Sequence, residues 1–219
     1  GRFPLRPGQP LPPALLQEDL DALELGEPNL ARQIANAAAF GLPVLVAVNR
    51  FPSDTDAEVE CLAEMALAAG AESALEATPY QRGAEGLLEL AQAVVEAGSQ
   101  AGEEGPRYLF PARAPILEKL EVIARQLYGA SRVELSSKAQ AELSWLDQHG
   151  WGGLPVCVAK TQFSLSHDPA LTGAPTGFVL PIRELRLAAG AGFVTALAGS
   201  VLTMPGLSDR PAFMGMDLG

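Results

Sequence analysis

An apolar run at residues 44–48, Val-Leu-Val-Ala-Val, constrains the fold more than any other part of the sequence. Pro43 precedes the run and Asn49 ends it, so it has the length of one strand. A strand without alternating polar residues is typical of a parallel α/β sheet, in which helices cover both faces. The run therefore predicts an α/β fold built around a buried parallel strand.

A polar loop follows this strand, with the sequence Asn-Arg-Phe-Pro-Ser-Asp-Thr at 49–55. In open α/β sheets, ligands bind beyond the carboxyl ends of the strands. Asn49 and Phe51 are therefore candidate binding residues. The alternative is purely structural: the strand ends here, and Asp54 or Thr55 caps the next helix.

The same order of elements occurs a second time. After a predicted helix at 56–69, residues 71–77 predict a short strand, and the loop at 78–83 reads Thr-Pro-Tyr-Gln-Arg-Gly. Loops that follow successive parallel strands open on the same side of a sheet. Phe51 and Tyr80 are then placed to hold a flat ring between them, since aromatic rings stack on planar π systems. The alternative for both side chains is packing in the core.

The order of predicted elements divides the chain into an arm and two domains. Residues 1–13 are rich in proline and predict an extended arm. Residues 14–105 predict a parallel-sheet unit of three layers, ending in a Gly/Glu/Ser connector, and residues 106–219 predict a smaller α/β domain. The remaining predicted helices are 15–25, 28–40 with Pro28 in its opening residues, 84–97, 115–128 and 137–148. The remaining strands are 133–135, 154–159 and 178–187, and a further apolar run spans 193–202.

Composition excludes several classes of function. The 219 residues are 48% hydrophobic and 19% charged, which suits a sizeable core, and the net charge of −11 argues against a nucleic acid or an anionic membrane as partner. No apolar stretch of about 20 residues predicts a membrane span. Cys61 and Cys157 lack the spacing of a zinc site, so no metal site is expected. The sequence also contains no Gly-x-x-x-x-Gly-Lys-Ser/Thr phosphate loop.

Two further groups of residues are candidates for chemistry. Lys160 follows the strand at 154–159 directly, and an ammonium at a strand end suits a phosphate or carboxylate. The alternative is an ordinary surface lysine. In the loop that follows, Ser164, His167 and Asp168 suggest a hydrolase triad. Their closeness in sequence and the absence of a Gly-x-Ser-x-Gly motif argue against it.

Several longer motifs point to one family. Between about residues 11 and 218 the sequence resembles the C-terminal part of formate–tetrahydrofolate ligase (10-formyltetrahydrofolate synthetase), as in eukaryotic C1-tetrahydrofolate synthase. The motifs that carry the resemblance are the stretch 41–55, Tyr-Gly-Ala at 128–130, Gly-Gly-Leu-Pro at 152–155, Ala-Lys-Thr-Gln-Phe-Ser-Leu-Ser at 159–166, Pro175 and Phe178, Pro-Ile-Arg at 181–183, Gly-Ala-Gly-Phe at 190–193, and Thr-Met-Pro-Gly-Leu at 203–207.

The resemblance implies a ligase of one-carbon metabolism that joins formate to tetrahydrofolate with ATP and Mg, through formyl phosphate. It implies that Phe51 and Tyr80 flank the folate ring, with Asn49 beside them. It also implies that the turn of Met204, Pro205 and Gly206 lies near the active-site cleft, where Lys160 is a further candidate. The sequence departs from the family at position 80, where tryptophan is usual, and at Arg50, where a small residue is usual.

The same resemblance implies that the chain is one part of a P-loop-type ligase. The site for the ATP phosphates is expected in an N-terminal part of the family that lies outside this chain, so the chain alone is expected to be inactive. The intact enzyme is expected to be a homo-oligomer in the cytoplasm or, alternatively, in the mitochondrion. The alternative function is a non-catalytic remnant that serves as a folding or oligomerisation module.

Overall fold

The strands form two sheets in the computed structural model, which describes residue 10, residues 12–100, residues 105–200 and residue 214. In the first sheet, β1 (Leu45–Asn49) pairs in parallel with β2 (Ser73–Ala77), and Asn49 lies opposite Ala77. The second sheet has the order β3-β5-β6-β4. Its strands are β3 (Arg132–Leu135), β4 (Val156–Ala159), β5 (Val179–Ala188) and β6 (Phe193–Ala198).

Helices precede or follow most of these strands. They are α1 (Leu20–Ala38), α2 (Asp56–Ala68), α3 (Pro79–Arg82), α4 (Leu88–Gln100), α5 (Ile116–Val122) and α6 (Ser137–Gln148). Short 3-10 helices span Pro13–Leu16 and Gly83–Leu87, and a π-helical turn at Ile123–Leu127 continues α5. No helix of the described residues has the length and apolar character needed to cross a membrane.

The prediction of an α/β fold is confirmed, but only the first sheet is wholly parallel. In the second sheet β3 pairs with β5, and β4 with β6, in parallel, whereas β5 and β6 are antiparallel. The tight turn between β5 and β6 imposes this, since Gly192 adopts a φ of +73° there and its amide bonds to the carbonyl of Ala188. The three layers of the first unit and the domain limits at 13 and 105 stay predictions.

One helix, α1, replaces the two helices predicted at 15–25 and 28–40. The prediction was wrong because Pro28 was taken as a helix start, whereas α1 runs through it. Proline inside a helix removes one backbone bond, and here it lies on the exposed side, where water can satisfy the freed carbonyl. Asp19 caps the true start, with its Oδ1 accepting from the amide of Ala22 at 3.0 Å.

Each sheet has its own hydrophobic core. The smaller core joins Ile34 of α1 and Ala66 of α2 to Val46 of β1 and to Val44, which precedes the strand. The larger core joins α5 and α6 to the second sheet; its buried members include Ile116, Leu120, Leu146, Leu180, Ile182 and Val194.

The long helix α1 connects the two cores. The Nδ2 of Asn29 donates to the carbonyl of Gly173 at 2.9 Å, and that of Asn36 donates to the carbonyl of Leu127 at 3.0 Å. These positions are seven residues apart and so lie on one face of the helix. Ile34, on nearly the opposite face, packs in the smaller core. The helix therefore fixes the second unit relative to the first.

The region after β2 is more ordered than the predicted loop at 78–83 and begins its helix later than the predicted 84–97. Residues 79–82 form α3, and the 3-10 turn Gly83–Leu87 leads into α4. The turn folds back on β2, where the amide of Thr78 donates to the carbonyl of Gly86 at 3.1 Å. Gly86 is buried, and a Cβ added there would lie 2.5 Å from the carbonyl oxygen of Thr78. Only glycine fits this close approach. The contact fixes the position of the turn and of α3 before it, which carries Tyr80.

We predict opposite effects of alanine at two glycines of this region. Gly86→Ala should lower the free energy of unfolding by about 1–3 kcal/mol, because backbone must move to admit the methyl group. Gly98→Ala, in α4 and with no atom within 4 Å of an added Cβ, should raise it by up to about 1 kcal/mol through helix propensity. Urea unfolding of both variants beside the parent chain measures the two changes. Equal stability of the two variants would show that the Gly86 contact is not tight.

Candidate functional site

The carboxyl ends of β1 and β2 lie side by side and are tied together beyond the strands. The amide of Arg50 donates to the carbonyl of Ala77 at 3.2 Å, so the parallel pairing continues one residue past β1. The Nε2 of Gln81 then donates to the carbonyl of Arg50 at 3.2 Å. The loop after β1 and the α3 segment after β2 therefore start from one fixed edge, as the sequence predicts.

Both predicted ring-binding residues are exposed on this edge. Phe51 is 59% exposed and Tyr80 is 93% exposed. The alternative of core packing is therefore wrong for both. The backbone beneath Phe51 is ordered: its amide donates to Oδ2 of Asp54 at 2.8 Å, and the amide of Asp54 donates to the carbonyl of Phe51 at 3.0 Å. Both side chains are exposed to water although the backbone that carries them is ordered. Neither packs in the core, and this favours a binding role.

The structural alternative for the rest of this loop is correct. Thr55 caps α2 in a capping box: the amide of Glu58 donates to Oγ1 of Thr55 at 3.2 Å, and the amide of Thr55 donates to Oε2 of Glu58 at 2.9 Å. The bond from the Thr55 amide is the main reason that the pKa of Glu58 is lowered. Asp54 and Thr55 thus shape the loop, and Phe51 is the residue it displays.

Arg50 is a positioning residue that sequence reasoning did not find. Its guanidinium pairs with Oδ1 of Asp56 at 2.6 Å and with Oε2 of Glu76 at 2.9 Å, and these hydrogen bonds raise its pKa. It also donates to the carbonyl of Asp54 at 3.3 Å. The side chain joins β2, the loop and the start of α2, so its charge is used within the protein. Asp56 follows the arginine closely in the sequence, but Glu76 comes from the next strand, so the network could not be found from the local sequence.

Lys160 lies at the end of β4, as predicted, but its ammonium is turned into its own loop. Nζ donates to the carbonyl of Thr161 at 3.1 Å and to the carbonyl of Ser164, and it lies 5.1 Å from the ring centroid of Tyr128. The side chain is half-buried, so it is not the ordinary surface lysine of the alternative, and burial lowers its pKa. An anion at Lys160 stays a prediction; the observed contacts hold the loop.

A second lysine supports the start of β4. Lys119 of α5 is fully buried, and its Nζ donates to the carbonyls of Gly153 at 2.8 Å and Leu154 at 2.9 Å. Burial lowers its pKa. Both lysines therefore bind backbone carbonyls on either side of β4, one before the strand and one after it.

The residues of the suggested triad do not form one. The hydroxyls of Ser164 and Ser166 lie 2.9 Å apart and bond to the loop backbone, at the carbonyls of Leu171 and Asp168 respectively. Nδ1 of His167 is buried without a hydrogen-bond partner. Neither serine is bonded to the imidazole, so neither is activated as a nucleophile. The serines fold the loop at 160–177, which contains no helix or strand, as predicted.

Three cavities lie near the candidate residues. One of about 470 Å³ is beside the α3 segment, between Glu76, Arg82 and Glu89, and one of about 380 Å³ is at His167 and Gly199. The third, of about 260 Å³, runs along β1 to Asn49. Within the ranges the structure describes, no three His, Cys, Asp or Glu residues are grouped to hold a metal. Met204, Pro205 and Gly206, predicted near the cleft, lie outside the described residues.

This geometry defines an α/β protein with two exposed aromatic side chains at the ends of two parallel strands, and comparison with known proteins identifies the family. The family model "Formate--tetrahydrofolate ligase" matches residues 6–219, and the chain belongs to that family. It is 49% identical over 218 residues to the formate–tetrahydrofolate ligase of Chloroflexus aggregans and 50% identical to that of Aeromonas hydrophila. It is 45% identical to "C-1-tetrahydrofolate synthase, cytoplasmic" of Schizosaccharomyces pombe.

The matches cover all of this chain but only part of each relative. The chain spans 38% of the two bacterial ligases and 23% of the Schizosaccharomyces pombe protein. The predicted family is confirmed. Its C-terminal placement within the ligase is not confirmed by these matches.

We predict that Lys160 is structural. Lys160→Met should lower the free energy of unfolding by about 1–3 kcal/mol, because the buried Ser164 carbonyl loses its donor. Lys138→Met is the control: that ammonium is 60% exposed and pairs with Glu184 at 3.0 Å, so the change should stay within about 1 kcal/mol. Thermal unfolding with and without inorganic phosphate measures both. If Lys160→Met is as stable as the parent but loses stabilisation by phosphate, the ammonium is an anion ligand instead.

Proposed function

We propose that this chain provides the folate side of a formate–tetrahydrofolate ligase site and acts together with ligase polypeptide outside these 219 residues. The observation that carries the proposal is the pair of exposed rings, Phe51 and Tyr80, on the adjoining ends of β1 and β2. Family membership supplies the class of ligand, since the relatives are named for tetrahydrofolate.

The two rings suit the flat, conjugated ring system of a folate. Stacking buries both faces of such a ring at little conformational cost, because the backbone under Phe51 and α3 is already fixed. Asn49, exposed at the last position of β1, offers an amide donor and a carbonyl acceptor beside them. Tyr80 presents a smaller ring than the usual tryptophan, so its contribution to stacking is reduced.

The rest of the ligase chemistry is proposed to lie outside the chain. Formate and ATP would meet at a P-loop, a motif this sequence lacks, and the ATP phosphates with their Mg would bind there. Formate would take the γ-phosphoryl group of ATP at that site and release ADP. The formyl phosphate so formed would pass its formyl group to tetrahydrofolate held at Phe51 and Tyr80, with inorganic phosphate as the leaving group. We place this enzyme in the cytoplasm, as the name of the Schizosaccharomyces pombe relative states for that protein, and expect the intact ligase to be a homo-oligomer.

A second candidate function is a non-catalytic oligomerisation module. The observation that favours it is the outer side of α4, where Leu88, Val94 and Val95 are each more than half exposed. Exposed aliphatic side chains on one helix are typical of an association surface. Analytical ultracentrifugation of the chain and of Val95→Glu tests this function. If the chain is a dimer, the variant is a monomer, and the chain does not bind tetrahydrofolate, this function is favoured over the first.

The proposed function predicts how ring substitutions change folate binding. Tetrahydrofolate should bind the chain saturably, and Phe51→Ala or Tyr80→Ala should weaken binding roughly 5- to 150-fold, since stacking on an aromatic side chain contributes about 1–3 kcal/mol. Isothermal titration calorimetry measures the affinity for tetrahydrofolate. It is carried out on the isolated chain and on a chimera in which the chain replaces the matching 38% of the Chloroflexus aggregans ligase.

Tyr108→Ala is the matched control. Tyr108 is 82% exposed but does not follow β1 or β2, so its loss should leave the affinity unchanged. Equal weakening by Tyr108→Ala would mean non-specific binding. A folded chimera that binds no tetrahydrofolate, or binds it equally well without either ring, would overturn the proposed site.

A further inference from the structure

We propose that the outer edge of β1 is a docking site for one additional β-strand, supplied by ligase polypeptide outside this chain. The proposal rests on the proposed function in one respect, namely that the chain works as part of a larger ligase. It concerns a different surface from the ring pair, because it uses the backbone of β1 and the groove beside it.

The hydrogen bonds at both ends of β1 show which backbone groups face outward. The amide of Arg50 and the carbonyl of Val44 both bond to the β2 side, at Ala77 and Glu72. Backbone groups of successive residues in a strand point to opposite sides. Residues 44, 46, 48 and 50 therefore face β2, and the amides and carbonyls of Leu45, Ala47 and Asn49 face away from it. Within the described residues, β1 pairs with β2 alone.

A groove of about 260 Å³ runs along this edge. Ala47 and Val48 form its strand side, Leu23 of α1 lines it from one helix, and Val59 and Leu62 of α2 line it from the other. Helix α1 packs on α2 and so brings Leu23 to the groove. The helical layer that would cover one more strand is thus already present. Five of the groove's lining residues are aliphatic, which suits the apolar side chains of a buried strand, and Asn49, Asp54 and Glu58 are its polar members.

The edge of β1 lacks the features that keep natural edge strands apart. Such edges usually carry charged side chains, a proline or a bulge. The three outward-facing residues of β1 are Leu45, Ala47 and Asn49, and the pairing of β1 with β2 is regular over all five residues. Across the sheet, β2 has Glu76 at an outward position and the 3-10 turn Gly83–Leu87 packed beside it. The outer edges of β1 and β2 therefore differ, and the edge of β1 is the one suited to pairing with a further strand.

The relatives are long enough to supply the added strand from residues outside this chain. The chain is covered completely but spans only 38% of the Chloroflexus aggregans ligase, so most of that polypeptide is available to supply a strand. A two-stranded sheet is small for an α/β protein, and a third strand would complete the cover of α1. A second copy of this chain is less suitable, because each copy carries a net charge of −11.

Amide hydrogen exchange on the isolated chain and on the chimera tests the proposal residue by residue. In the isolated chain, the outward amides of Leu45, Ala47 and Asn49 should exchange fast and the inward amides of Val46 and Val48 slowly. In the chimera, the outward amides should slow by roughly two orders of magnitude. Outward amides that stay fast in a chimera whose inward amides are protected would overturn it. Outward amides already slow in an isolated chain that sediments as a dimer would assign the edge to a second copy.

A pair of proline variants tests the same edge through stability. Ala47→Pro removes an outward amide, which an exposed edge tolerates. It should lower the melting temperature of the chimera by several degrees more than that of the isolated chain. Ala74→Pro removes an outward amide of β2 and should affect both proteins equally. Equal effects of Ala47→Pro on both proteins would overturn the proposal, whereas loss of folate binding by itself would not, since binding is read at Phe51 and Tyr80.

Discussion

The parallel register of β1 and β2 is the constraint on which the candidate site depends. It brings Asn49 opposite Ala77, and the Arg50 amide carries the pairing beyond the strand. Everything displayed at that edge takes its position from these bonds. The side chain of Arg50 reinforces them through Asp56 and Glu76, because a guanidinium in fixed geometry can bond a helix start and a neighbouring strand at once. Binding residues on loops are effective when a rigid scaffold positions them.

The second unit shows the same use of polar groups to fix backbone. Lys119 and Lys160 each place an ammonium against carbonyls on either side of β4. The hydroxyls of Ser164 and Ser166 fold the long loop that follows. Residue types that suggest catalysis in a sequence thus serve in this part of the chain as hydrogen-bond partners of backbone carbonyls.

The strands and the exposed positions of the candidate site could be predicted because their signals are local. The apolar run before Asn49 and the two loops rich in turn residues predicted both strand ends, and with them the exposed positions of Phe51 and Tyr80. Tertiary contacts decided the rest. Pro28 inside α1 is tolerated because of its exposed position, and the Lys160 ammonium points inward because loop carbonyls and Tyr128 surround it. The Arg50 network joins residues up to 26 positions apart, which no local pattern reveals.

Helix α1 contacts both units of the molecule and links them. Its 19 residues extend about 28 Å. Leu23, near one end, borders the groove along β1, while Asn36, near the other, is bonded to the turn after α5. Because the same helix borders the groove at one end and is bonded to the second unit at the other, a change of its tilt at the groove would also move the π-helical turn that follows α5.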